Sequence, residues 1–100
     1  MAIKFMKPAD AFCFGKDVPS CGEVEFWVIL KKLRNDKNGN LQYEATIVDL
    51  ELLEMWMFDK PVAIDSFKFT GHSQTEEYEA EWALDEYLKL EKVLKRYESY

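Results

Sequence analysis

The last quarter of the chain distributes apolar and polar residues with the period of an α-helix. From Ser73 to Tyr97 there is no glycine or proline, and strong helix formers dominate. Ser73 and Glu76 have the spacing of a capping box, which satisfies the first amide groups of a helix. One face carries the apolar residues Ala80, Ala83, Leu84, Tyr87, Leu90, Leu94 and Tyr97, with Leu88 at its edge. The pattern predicts one long C-terminal helix that covers another element with this face.

Three earlier segments alternate apolar and polar residues with the period of a β-strand. The first runs from Glu23 to Leu33 and is apolar on both faces at its centre, which is typical of an interior strand. The second runs from Leu41 to Val48, and the third from Val62 to Thr70. A polar loop containing an Asn-Gly pair separates the first two and predicts a hairpin between them.

The N-terminal fifth of the chain has weaker patterns. Residues 2–6 alternate long enough to predict a short strand, which Pro8 ends. Residues 11–14 form a second short apolar run. Because Gly15, Pro19 and Gly22 follow closely, we expect residues 15–22 to form a loop.

The segment from Asp49 to Lys60 fits two interpretations. Its leucine, glutamate and methionine residues favour a helix, whereas the lack of a turn residue after Val48 favours continuation of the strand. Pro61 ends the segment in either case. Together the patterns predict an α+β fold: a three- to four-stranded antiparallel sheet with a long C-terminal helix packed on one face.

Length and composition place the chain among single globular domains, here spanning residues 1–100. Nearly half of the residues are hydrophobic, which is enough for a core without metal or disulfide staples. No apolar run approaches the ~20 residues of a membrane span, and we expect a cytoplasmic protein. Cys13 and Cys21 are therefore expected to remain thiols, although an oxidising compartment would allow them to pair.

Charge is distributed unevenly along the chain. Residues 1–50 contain seven basic and seven acidic residues, whereas residues 51–100 contain six basic and twelve acidic ones, which accounts for the net charge of −6. Such a surface repels phosphate backbones, so direct binding to nucleic acid is disfavoured. The best candidate for a basic patch, formed by Lys31, Lys32, Arg34 and Lys37, falls at a strand end and its loop.

The residue types of common catalytic and metal sites are scarce. His72 is the only histidine, and without a nucleophile in a recognisable arrangement it is interpreted as a solvated turn residue. Cys13, Cys21 and His72 lack the number and spacing of zinc ligands. We therefore predict no catalytic site, no cofactor and no metal, and a protein that is not an enzyme.

The first half of the predicted helix carries more acid than its dipole requires. Six acidic residues and no basic one lie between Glu76 and Glu86, while favourable dipole effects end within the first turn. Glu77, Glu81 and Asp85 form a ridge of like charges beside Tyr78 and Trp82, on the side opposite the apolar stripe. The predicted partner-binding surface comprises Glu76, Glu77, Tyr78, Glu79, Glu81, Trp82, Asp85 and Glu86.

The leading functional hypothesis is a small acidic binding protein that docks this helix on a basic surface of another protein. Nuclease inhibitors, immunity proteins and phage inhibitors of host defence share its general size and charge. Six charges over ~15 Å of helix approach the spacing of phosphates on one DNA strand, which makes phosphate mimicry one form of this hypothesis.

Two alternatives belong to other classes. The chain could be a structural subunit of a homo-oligomer or larger assembly, with the apolar stretches at 50–53 and 55–58 buried in the contact. It could also bind single-stranded nucleic acid weakly, if the aromatic residues of the sheet shared one open face. Those residues are Trp27, Tyr43, Phe67 and Phe69.

Overall fold

A computed structural model describes residues 8–19, 21–51 and 64–98 of the chain. These residues form one antiparallel sheet of four strands in the order β1-β2-β3-β4, followed by two helices. The strands are β1 (Phe12–Val18), β2 (Gly22–Asn35), β3 (Leu41–Asp49) and β4 (Ile64–Thr70), and the helices are α1 (Glu76–Tyr87) and α2 (Glu91–Glu98). The predicted α+β class and antiparallel sheet are thus confirmed, whereas the single long helix is not.

The β2–β3 hairpin forms where the Asn-Gly loop predicts it. The Asp36 carboxylate accepts hydrogen bonds from the amides of Asn38 and Asn40, at 2.9 and 3.0 Å, and the Asp36 amide donates to the Asn40 carbonyl. Gly39 has a φ of 81°, the left-handed conformation that glycine adopts at little cost. The loop therefore depends on Asp36 and Gly39 together.

Strand β1 corrects the expected loop at residues 15–22. The ladder with β2 continues through Gly15, opposite Glu25, to Val18, opposite Gly22. The turn itself is shorter, and it is closed by a hydrogen bond of 3.1 Å from the Cys21 amide to the Val18 carbonyl. Burial alternates along β1 on both sides of Gly15 and ends with the buried Val18, as expected for a strand. Glycine and proline residues nearby hid this pattern in the sequence.

Two other predicted segments fall partly or wholly outside the described residues. The strand predicted at residues 2–6 lies outside them. Of the segment from Asp49 to Lys60, only its first three residues are described: Asp49 ends β3, and the backbone is helical at Leu50 and Glu51. The choice between helix and strand beyond residue 51 stays open.

The helices cover one face of the sheet, and the core lies between them and that face. The strand registers place the alternate residues of each strand on the helix side, and their central members are fully buried. These central residues are Phe26, Val28, Ala45 and Ile47. The buried face of α1, which packs against β1, β2 and β3, completes this core with Ala80, Ala83, Leu84 and Tyr87.

The C-terminal helix is interrupted at residues 88–90. The amides of Lys89 and Leu90 bond to carbonyls three residues back instead of four, which ends α1 before α2 begins. In a continuous helix Val93 would lie about 240° around the axis from Tyr87. The interruption brings both side chains into the core, with Val93 fully buried, and leaves Leu90 42% exposed. Leu90 therefore does not belong to the apolar stripe as predicted.

The N-terminus of α1 also differs from the prediction. Thr75 is the N-cap, and its hydroxyl accepts a hydrogen bond of 3.2 Å from the Tyr78 amide. Ser73, the predicted cap, has a φ of 59° and therefore lies in the turn before the helix. The capping box between Ser73 and Glu76 does not form.

Polar contacts attach the two helices to the end of the sheet. Tyr97 and Asp49 are each 2% exposed, and the Tyr97 hydroxyl donates a hydrogen bond to the Asp49 carboxylate. Arg96 donates to the Tyr87 hydroxyl at 2.8 Å and lies 3.6 Å from the Asp65 carboxylate. Burial raises the pKa of Tyr87 to about 12, against the opposing effect of Arg96.

In the part of the chain that is described, no helix has the length and apolar character of a membrane span.

Replacing Tyr97 with phenylalanine should destabilise the fold by about 1–3 kcal/mol, because the buried Asp49 carboxylate loses a donor. Urea unfolding followed by circular dichroism measures the change. Tyr78→Phe is the matched control, because Tyr78 is 49% exposed and its hydroxyl has no bond to a described residue. Equal unfolding midpoints for the two variants would contradict this role of Tyr97.

Candidate functional site

A series of aromatic contacts connects the core to the outer surface of α1. Tyr43 contacts Phe69 with ring centroids 5.5 Å apart, and Phe69 contacts Trp82 at 5.2 Å. Trp82 lies 4.4 Å from the ring of His72, which in turn lies 6.1 Å from Tyr78. We call these five residues the aromatic ladder. Its inner members are buried, whereas Tyr78 is 49% exposed.

Trp82 does not lie where the helical pattern placed it. It was predicted to stand apart from the core, but it is half-buried and packs against the core next to Phe69. The ring is therefore held on its inner side. Tyr78, one turn earlier on α1, is the more exposed of the two predicted aromatic residues.

His72, a member of the aromatic ladder, also contacts a buried carboxylate. Glu79 is fully buried, and one oxygen accepts a hydrogen bond of 2.7 Å from the His72 amide. The other oxygen lies 2.7 Å from Nδ1 of the His72 ring. One prediction changes here, because Glu79 is not part of the exposed acidic surface. His72 is an exposed residue of the turn, as predicted, but its ring also contacts Glu79 and Trp82.

Because Gly71 has no side chain, the Glu79 carboxylate and the Tyr43 ring can both lie against its backbone. A Cβ atom at Gly71 would lie 2.6 Å from a Glu79 carboxylate oxygen and 2.6 Å from the Tyr43 ring. Both side chains are buried, so neither could move aside cheaply. The close approach of strand end and helix thus requires glycine at this position.

Most of the predicted acidic residues have a basic partner within the chain. Lys16 lies 2.7 Å from the Glu81 carboxylate and 3.0 Å from that of Asp85. Burial alone would lower the pKa of Lys16, but the hydrogen bonds with the two carboxylates raise it above its usual value. Two further ion pairs join Lys32 to Glu76 at 3.1 Å and Lys89 to Glu86 at 2.7 Å.

Glu77 is the exception among these acids. It is exposed, and no described residue forms an ion pair or hydrogen bond with it. Free negative charge on α1 is therefore sparser than a count of acidic residues suggests. What remains is concentrated at Glu77 and at the half-exposed side chains of Glu81 and Asp85.

The register of β1 and β2 reveals an acidic cluster that the sequence patterns missed. On the face opposite the helices, Asp17 lies directly across from Glu23, and Glu25 follows on the same side of β2. None of the three has an ion-pair partner among the described residues. All three have odd residue numbers, which would place them on one face of a β1–β2 pair. The loop expected at residues 15–22 hid this relation.

The aromatic residues of the sheet do not share an open face. Tyr43, Phe67 and Phe69 lie on the helix side, and Tyr43 and Phe69 are buried. Trp27 lies on the opposite face, since it alternates with the buried Phe26 and Val28. The stacking platform that motivated the nucleic-acid alternative does not form.

The predicted basic patch is divided as well. Lys32 turns toward α1, where it pairs with Glu76, whereas Lys31 lies on the opposite face of β2. The patch therefore does not present a single basic surface for phosphates.

An open apolar groove lies beside the interruption between the helices. It has a volume of about 250 Å³ and is lined by Phe67, Glu86, Tyr87 and Leu90. Leu90 and Ile64 are among the exposed large apolar side chains, at 42% and 39%.

The described residues contain no metal-type cluster of histidine, cysteine and carboxylate side chains. Cys13 and Cys21 form no disulfide; their thiols lie 2.7 and 3.4 Å from carboxylate oxygens of Glu25 and Glu51.

Comparisons with protein-family models, curated proteins and solved structures find no match to this chain.

Replacing Glu79 with alanine should destabilise the fold by about 1–3 kcal/mol, because the His72 amide loses its acceptor and a buried side chain is removed. Glu77→Ala, two residues away on the exposed side of α1, should change stability by less than about 0.5 kcal/mol. Chemical unfolding of the two variants makes the comparison. A similar loss at both positions would contradict the structural role of Glu79.

Proposed function

We propose that this chain is a small non-enzymatic binding protein that docks the outer surface of α1 on a basic surface of another protein. The main support is Tyr78. Its ring is half-exposed, and the aromatic ladder connects it to the core. Binding hot spots are enriched in tyrosine and tryptophan side chains that are already held in position.

Acidic side chains around Tyr78 favour a basic partner. Glu77 has no cation beside it among the described residues, and Glu81 is one turn further along the same side of α1. Charges at the rim of an interface mainly accelerate association and exclude partners of like charge. Proteins that handle nucleic acids have basic surfaces of the required sign, so an inhibitor or immunity-type protein for such a target is the form that we favour.

Phosphate mimicry has weaker support than docking. Because Glu79 is buried and Glu76, Glu81, Asp85 and Glu86 are ion-paired, α1 does not present a continuous row of free charges. We therefore base the proposal on the aromatic side chain with its acidic neighbours.

A photo-crosslinking amino acid at position 78 should capture a specific protein in a lysate of the native cells. Incorporation at position 64 is the control, since Ile64 is an exposed apolar residue of β4. The adduct at position 78 should weaken as sodium chloride rises from about 50 to about 500 mM, because salt screens charge pairs at an interface rim. Mass spectrometry identifies the adduct.

The proposal requires an adduct that is specific to position 78 and whose protein has a basic surface around the crosslinked site. The same adducts from positions 78 and 64 would contradict it. A partner with an acidic surface at the crosslink would contradict it as well.

A homo-oligomeric structural subunit is a second candidate, favoured by the groove beside Leu90. If copies of the chain associate through this groove, sedimentation at micromolar concentration should show an oligomer, and Leu90→Ser should convert it to a monomer. Tyr78→Ser is the control and should leave the oligomer intact. A wild-type monomer at these concentrations would remove this candidate.

A further inference from the structure

We infer that the surface formed by Glu77, Tyr78, Glu81 and Trp82 binds an arginine side chain of the partner protein. This inference rests on the proposed function and names the group that the surface recognises. We call these four residues the α1 surface.

The helical period arranges the α1 surface in two adjacent rows. Tyr78 and Trp82 are four residues apart and form an aromatic row, whereas Glu77 and Glu81 are four apart and form an acidic row. Adjacent residues on a helix are rotated by about 100°, so the two rows lie side by side. Because Glu81 is paired with Lys16, a group placed between the rows at their N-terminal end would meet the Tyr78 ring on one side and the Glu77 carboxylate on the other.

Tyr78 has a ring face that remains accessible. Its only ring contact among the described residues is with His72, at an interplanar angle of 73°. An edge-on contact of this kind engages at most one face of the tyrosine ring. Since the residue is 49% exposed, part of the ring is accessible to a partner.

The chain itself shows how this kind of surface holds a cation. Lys16 Nζ lies 2.7 Å from Glu81, 3.0 Å from Asp85 and 5.9 Å from the centroid of the Phe14 ring. Two carboxylates and a ring thus surround one ammonium group at the C-terminal end of the acidic row. Glu77 and Tyr78 supply one carboxylate and one ring at its N-terminal end, where no described lysine or arginine forms an ion pair with Glu77.

Arginine suits the two rows better than lysine does. Its planar guanidinium stacks on an aromatic face while its N–H groups, which lie in the same plane, reach carboxylate oxygens at the side. An ammonium group is compact and strongly hydrated, and it lacks the planar surface that stacks on a ring. The charge of the row excludes acidic partners.

The experiment is an NMR titration of the full chain with three short peptides of the sequence acetyl-Gly-Ser-Xaa-Ser-Gly-amide. Xaa is arginine, lysine or citrulline, the last being the uncharged analogue of arginine. The arginine peptide should shift the Tyr78 ring and Trp82 indole signals in a saturable way. Binding should be roughly two- to fivefold weaker with lysine, and the citrulline peptide should not saturate.

Two variants test the two rows separately. Tyr78→Leu and Glu77→Gln should each weaken binding of the arginine peptide by roughly two- to fivefold. Glu91→Gln is the charge-matched control on α2, where Glu91 pairs with Lys95 at 3.2 Å, and should bind like the wild type. Urea midpoints of all variants should stay close to that of the wild type, because the replaced side chains are exposed.

Three results would overturn the inference: no saturable shift with the arginine peptide, equal binding of the arginine and citrulline peptides, or full binding by Tyr78→Leu. Equal binding of arginine and lysine would overturn the preference for a guanidinium. If the peptides fail while the crosslink at position 78 still captures a basic protein, the arginine assignment falls and the proposed function stands. If the arginine peptide binds but no such crosslink forms, the surface still recognises arginine and the proposed function falls.

Discussion

Both oxygens of the buried Glu79 carboxylate hold His72, and this contact fixes where the sheet ends and α1 begins. A carboxylate without access to water is costly unless hydrogen bonds compensate it. The backbone amide and the ring nitrogen of one residue supply those bonds, and Gly71 provides the space. With the first turn of α1 anchored in this way, Ala80 and Leu84 face the core and Tyr78 faces outward. The buried contact and the apolar face of α1 thus orient the candidate surface together.

Alternating patterns predicted most of the sheet, because burial on one face selects apolar residues at every second position. The hairpin of β2 and β3 and strand β4 follow from this rule, whereas the face of the sheet that the helices cover was not predicted. The rule failed at β1, where Gly15 and the polar residues Lys16 and Asp17 resemble a loop. The helical pattern missed the interruption at residues 88–90, because no glycine or proline marks it. At the break Tyr87 and Val93 both enter the core, whereas a continuous helix would place them about 120° apart around its axis.

The candidate site was partly visible in the sequence for a similar reason. Helical periodicity placed Tyr78 and Glu77 on the outer side of the helix, and both are exposed. The burial of Glu79 depends on a turn with Ser73 in the left-handed region, which has no local sequence signal. The pairing of Lys16 with Glu81 joins residues 65 positions apart and depends on the register of β1. Contacts between distant elements thus decided which acids remained available.

The division of the C-terminal segment into helices of 12 and 8 residues links recognition to folding. Isolated helices of this length are marginal in water, so neither persists without the sheet beneath it. The two rows of α1 consequently exist only in the folded chain. A partner that recognises them selects folded molecules and, by mass action, raises the stability of the whole domain in proportion to the logarithm of its concentration once the site is saturated.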